Sequence, residues 1–185
     1  MANRPPRRGV PLPQSISQNA GAILLPMAIE QRLRDLGIVV PAPPNAIGNF
    51  VPGVVHAGVL YVSGTYGTVK DASGADVIEK PGKIGETLSI EEGYASARRM
   101  ALNHLALARA AVGSLDRLLR PIRMLGFVNA APGFKNAPAV LNGASDLLVE
   151  IFGPELGPHA RMALYQPDLP RDAPVAGEII YALRD

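Results

Sequence analysis

At 185 residues, 48% hydrophobic and 18% charged, the chain is long enough for one domain with a buried core, and its composition fits neither a disordered nor a membrane-embedded protein. It has no cysteine, which excludes disulfides, thiolate metal sites, iron–sulfur clusters and cysteine nucleophiles, and its three histidines, His56, His104 and His159, show no zinc-ligand spacing. The formal net charge of +2 comes from one end: residues 1–27 hold Arg4, Arg7 and Arg8 and no acid, leaving 15 of the 18 basic residues against 16 acidic ones and a charge of −1 on the rest of the chain, which argues against a nucleic-acid-binding body.

Residues 1–26 are proline-rich and polar without apolar periodicity, and read as a flexible arm ahead of a single domain over 27–185. The apolar run in "AGAILLPMAI" is short and interrupted by Pro26, so neither an export signal nor a membrane span is expected, and a cytoplasmic location follows as the expectation. "MAIEQRLRDLG" places Ile29, Leu33 and Leu36 on one helical face, with Gly37 as a stop. The prolines of "IVVPAPPNAIGNF" forbid regular structure and send the chain across the surface. "VPGVVHAG" and "VLYVSGTYG" read as a hairpin turning at His56-Ala57-Gly58, and residues 70–87, with Gly74, Gly82 and Gly85, as a polar loop.

"SIEEGYASARRMALNHLALARAAVG" is the strongest helix signal: Ser89 can cap it, Glu91 and Glu92 suit its positive end, and Gly113 closes it. Tyr94, Ala97, Ala101, Leu105, Ala108 and Val112 form its apolar stripe. "LDRLLRPIRMLGFVNAA" reads as a long strand with a bulge or an edge near Pro121. "APAVLNGASDLLVEIFG" is a second amphipathic helix, with Val140, Ala144, Leu147, Leu148 and Ile151 inward and Gly153 ending it. Two strands, 160–166 and 174–183, close the chain. In the first of them, side chains alternate with period two, so His159, Arg161, Ala163 and Tyr165 share one side and a lone arginine stands among small and apolar neighbours. The order of elements predicts an α/β (α+β) fold in which two helices cover one face of a mixed sheet. Aromatics make up only 5% of residues and there is no tryptophan, a composition that suits a core completed by oligomerisation.

"IGNF", "LYVSG", "GFVNAAPGF", "NGASDLLVEIFG", "HARMAL" and "LPRDAPVAGEI", in this order and at these intervals, resemble the Rid (YjgF) family over residues 28–184. The resemblance is to its longer branch of endoribonuclease L-PSP-like or chorismate-mutase-like proteins. It implies a chorismate-mutase-like six-stranded mixed sheet and a homotrimer whose sheets line a barrel, with a cleft for a small carboxylate, a 2-imino or 2-keto acid, at each subunit boundary. The activity it implies is hydrolysis of reactive enamines and imines to 2-keto acids and ammonia, with neither metal nor organic cofactor.

The resemblance also assigns residues. Arg161 matches the essential catalytic arginine, whose planar fork would hold a substrate carboxylate. Ser63 and Gly64 match a ligand-contacting pair at the end of the second strand, although Ser63 could equally serve the turn. Asn142 matches a helix asparagine that either meets the ligand or packs, and Phe50 occupies a pocket-mouth position that is often tyrosine. His159 reads as a strand-end residue rather than a base. Two positions depart from the family pattern: Ala163 stands where a cysteine is common, and Ala176 stands where a water-steering glutamate is expected, with Glu178 two residues on, facing the same way. Three functions therefore compete: imine or enamine hydrolysis, a trimeric small-carboxylate-binding protein without chemistry, and, third, an endoribonuclease, for which the body lacks positive charge, aromatic stacking surface and a histidine pair.

Overall fold

The computed structural model of the chain describes residues 28–184, so the expected arm over 1–26 lies outside the described residues. The strands in chain order are β1 (Gly53–His56), β2 (Val59–Val62), β3 (Thr65–Tyr66), β4 (Thr68–Lys70), β5 (Asp76–Ile78), β6 (Leu118–Asn129), β7 (Ala160–Gln166) and β8 (Val175–Leu183); the helices are α1 (Ile29–Asp35), α2 (Ile90–Val112) and α3 (Ala137–Leu156). Six strands make one mixed sheet in the order β1-β2-β8-β6-β7, with β3 also paired to β8. Only β6 and β7 run parallel, joined through α3, and α2 and α3 lie together on one face.

Local chemistry explains most boundaries. Ala57 and Gly58 take φ of 48° and 74°, two positive values that make the tight primed turn a right-twisted hairpin needs. At the start of α2 the Glu92 N–H donates to Ser89 Oγ at 3.2 Å and the Ser89 N–H donates to Glu92 Oε2 at 2.9 Å, a complete capping box. Gly153 leaves the helical region, with φ 80° and ψ 170°, so α3 breaks where the glycine predicted its end and one last turn follows it.

Pro121 sits within an irregular stretch of β6, where the register against β8 shifts between Leu118 and Arg120 and again between Pro121 and Arg123. Because β7 pairs with β6 only from Arg123 onward, the proline has no ladder partner on that side. Two expectations need correction. The strand expected from Leu115 begins only at Leu118, after a 3₁₀ turn over Leu115–Arg117 in which the Asp116 N–H donates to Ser114 Oγ. The polar loop over 70–87 contains β5, which pairs with β4 across a turn built by the Asp71 carboxylate; that carboxylate accepts from the Ser73 N–H, the Ser73 hydroxyl and the Ala75 N–H.

The core lies between the sheet and the two long helices. Leu60, Met124, Val128, Val175, Ile179 and Tyr181 are buried on the covered face, under Met100, Ala101, Leu105, Ala108, Leu147 and Leu148. Gly143 lets the helices touch: a Cβ there would lie 2.0 Å from the Tyr94 carbonyl oxygen. The opposite face has no covering element among the described residues, and Val54, Tyr61, Met162 and Leu164 are exposed on it. Register places them on one side, since Val54 faces Tyr61, Met162 lies beside Leu125 and Leu164 beside Phe127.

Candidate functional site

Arg161 emerges on the covered side of the sheet. Its neighbour across the ladder is Met124, fully buried beneath the helices, and as β7 is an edge strand the guanidinium lies at the rim of α3. There Nη1 donates to Asn142 Oδ1 and to Ser145 Oγ, each at 2.9 Å. Asn142 and Ser145 are three residues apart on α3 and so share the face turned to β7. Among the described residues, the Nε–Nη2 edge of the guanidinium has no partner, and no carboxylate lies within ion-pair distance. A cation is thus oriented by two neutral groups while keeping its charge and one two-pronged edge for something else.

His159 joins this group. Its Nδ1 lies 2.9 Å from the Gly157 carbonyl oxygen and its Nε2 lies 3.3 Å from Ser145 Oγ. A carbonyl only accepts, so the ring proton belongs on Nδ1, Nε2 presents a lone pair, and the Ser145 hydroxyl donates to it while accepting from Arg161. Burial lowers the His159 pKa below the ordinary histidine value; the positive charges of Arg161 and Arg120 act in the same direction, and the bond to Gly157 opposes them.

The other expected residues lie elsewhere. Gly64, Ala176 and Glu178 line a cavity of about 220 Å³ with Tyr66, Phe127 and Gly177. Glu178 pairs with Leu125 and Ala176 with Phe127, which puts both on the uncovered face, as their spacing predicted. Within one chain Arg161 and Glu178 therefore occupy opposite faces of the sheet, with β6 between their strands. Phe50, half-exposed, borders a second cavity of about 280 Å³ together with Pro52, Gly64, Tyr66 and Arg171. The Ser63 hydroxyl donates to the Val51 carbonyl at 2.5 Å and ties down the strap that holds Phe50. Ala163, two residues beyond Arg161, packs partly buried against the core on the covered side.

His104 is buried completely, and its Nε2–H donates to the Gly177 carbonyl at 2.8 Å, so it braces the cavity wall from beneath. Burial holds its pKa down at about 4, against the smaller opposing effect of the Gly177 bond. Ser145 is the site residue that sequence reasoning missed. Its signal was the i, i+3 spacing from Asn142, readable only once α3 is known to face β7. Among the described residues no group of three or more histidines, aspartates and glutamates converges as metal ligands, and no helix is long and apolar enough to cross a membrane.

Fold and site together define a mixed α/β domain that presents an oriented edge-strand arginine beside a helix. The profile described as "YjgF/chorismate mutase-like, putative endoribonuclease" matches residues 30–181. The chain belongs to that family. It is 36% identical over 157 residues to Protein TCP17 of Trypanosoma cruzi, covering 85% of this chain and 95% of that one. Among solved structures, it is similar to protein Atu1372 of Agrobacterium tumefaciens, with 34% identity, 85% and 93% coverage of the two chains and a TM-score of 0.73. It is similar also to a protein of Shewanella oneidensis described as a "putative endoribonuclease", with 32% identity, 84% and 99% coverage and a TM-score of 0.75.

Proposed function

We propose that this chain hydrolyses small 2-imino or enamino acids to 2-keto acids and ammonia, with Arg161 holding the substrate carboxylate. The observation that supports it is the guanidinium itself: Asn142 and Ser145 hold Nη1 while the Nε–Nη2 edge stays unpartnered. A carboxylate placed there gains two charge-assisted hydrogen bonds, worth about 1.5–3 kcal/mol together with the fixed orientation they impose. Fixing the carboxylate fixes the neighbouring imine carbon for attack by water.

Two further features favour a site completed between copies of the chain in a homotrimer. The Arg161 group and the Gly64–Glu178 group lie on opposite faces of the sheet, so a second copy is needed to bring such halves together. The apolar residues of the uncovered face supply a surface for that assembly. A second reading has its own support: Ala176 lines the cavity where the family resemblance expects an acid, which favours a carboxylate-binding protein without chemistry.

An assay of freshly generated 2-aminoacrylate decides between them. The hydrolase reading predicts that the wild-type protein speeds decay to pyruvate and ammonia well above the buffer rate. Pyruvate binding with no acceleration by the wild type, but with acceleration by Ala176→Glu, would instead assign the natural protein to binding alone.

A further inference from the structure

We propose that Ser145 and His159 form the proton relay of this site, with Ser145 touching the attacking water and His159 acting through it. The proposal rests on the hydrolase reading, and it supplies the proton acceptor that Ala176 does not. Geometry fixes every donor and acceptor in the chain of contacts. Gly157 O takes the proton of His159 Nδ1, His159 Nε2 takes that of Ser145, and Ser145 Oγ accepts from Arg161. The hydroxyl oxygen is therefore one hydrogen bond from the same guanidinium whose open edge receives the carboxylate. A substrate held there has its imine carbon one bond from the carboxylate, within reach of a water resting on Ser145.

The groups that face His159 suit a base. From β7 comes Arg161, from β6 Arg120, from α3 the Ser145 hydroxyl, and from the chain just before it the Gly157 carbonyl. Both charged neighbours are cations and, with burial, disfavour the imidazolium, which leaves the Nε2 lone pair available. The lone pair is aimed by a hydrogen bond on the far side of the ring, as a positioned base requires.

Water oxygen bonds the carbon of the protonated imine while the C=N π pair moves to nitrogen, and the water proton passes to Ser145 Oγ as Ser145 gives its own proton to His159 Nε2. The product is a neutral carbinolamine beside an imidazolium. The relay then runs backwards and protonates the amino nitrogen. The C–N bond breaks with its electron pair leaving on ammonia, the hydroxyl oxygen forms the new C=O bond, and the hydroxyl proton is taken up by the departing ammonia as ammonium. Nothing is oxidised or reduced.

The test measures 2-aminoacrylate decay against pH for the full-length protein and three variants, with pyruvate affinity by calorimetry as the control. Ser145→Ala and His159→Gln should each lower kcat by about 100-fold, the low end of what a positioned base supplies. Pyruvate affinity should stay within about threefold for His159→Gln, which does not touch Arg161, and should fall far less than kcat for Ser145→Ala, where Asn142 still holds Nη1. Wild-type kcat should fall at acid pH, with an apparent pKa below the ordinary histidine value, and His159→Gln should lose that limb. Ser145→Thr, which keeps the hydroxyl, should retain most of the rate. If the wild type accelerates decay but Ser145→Ala and His159→Gln keep both rate and acid limb, the relay is wrong and the hydrolase reading survives. If the wild type leaves decay at the buffer rate, both are wrong. Should Ser145→Ala fail to fold, the acid limb of His159→Gln decides alone.

Discussion

The two faces of the central sheet are made from similar residues and end in opposite conditions. On the covered face Leu60, Met124, Val175 and Ile179 are sealed under α2 and α3, and the small residues Gly143, Ala101 and Ala108 let the helices close on the sheet and on each other. On the other face Val54, Tyr61, Met162 and Leu164 stay exposed, with no element laid over them among the described residues. The candidate site divides along the same line, with Arg161, Asn142, Ser145 and His159 at the rim of the covered face and Gly64, Ala176 and Glu178 on the uncovered one. One face makes the chain fold; the other is the surface on which the proposed assembly would receive a second copy. A pair of leucines breaks the comparison most sharply. Leu148→Ala, at a fully buried position of α3, should cost about 2–5 kcal/mol in urea unfolding, from lost burial and the cavity left behind. Leu164→Lys, on the uncovered face, should cost an isolated chain less than about 0.5 kcal/mol. In sedimentation it should nevertheless turn a trimer into monomers of unchanged circular dichroism. Equal unfolding costs, or a Leu164→Lys protein that still sediments as a trimer, would mean that the two faces do not differ in this way.

A smaller effect probes the floor between the faces, where His104 of α2 holds the Gly177 carbonyl of β8. Its folded pKa of about 4 lies below the ordinary value of 6.5, so between those values the unfolded chain binds the extra proton and the folded chain does not. Stability is therefore fully kept above about pH 6.5 and lost as the pH falls toward 4, at up to about 1.4 kcal/mol per pH unit. His159 adds to the same trend. Urea midpoints measured from pH 7 to 4.5 should decline for the wild type and decline less for His104→Asn; a pH-independent midpoint in the wild type would contradict the assignment.

How much of this was legible in the sequence depends on whether neighbours were close along the chain. That Arg161 shares a side with Ala163 followed from period-two alternation, and the capping of α2 and the break of α3 from Ser89, Glu92 and Gly153, because each rule acts within a few residues. The pairing of β4 with β5 was hidden because each strand has only three residues and the signal lies in the Asp71 turn rather than in apolar alternation. Met100, Asn103 and His104 fall outside the single apolar stripe read on α2, yet all are buried. That helix is enclosed by the sheet on one side and α3 on another, and a one-stripe reading underestimates its contacts. The separation of Glu178 from Arg161 could not be read at all. It depends on β6 lying between β7 and β8, a tertiary ordering that no local pattern of "HARMAL" or "PVAGEI" encodes.

The central claim is that the open edge of Arg161 grips a carboxylate, and titration of pyruvate into the wild-type protein and Arg161→Lys by calorimetry tests it most directly. Lysine keeps the positive charge and loses the planar fork, so circular dichroism and sedimentation should be unchanged while affinity falls about 10- to 100-fold, the equivalent of about 1.4–2.7 kcal/mol. Wild-type binding retained in full by the lysine variant would show that the carboxylate is held somewhere else.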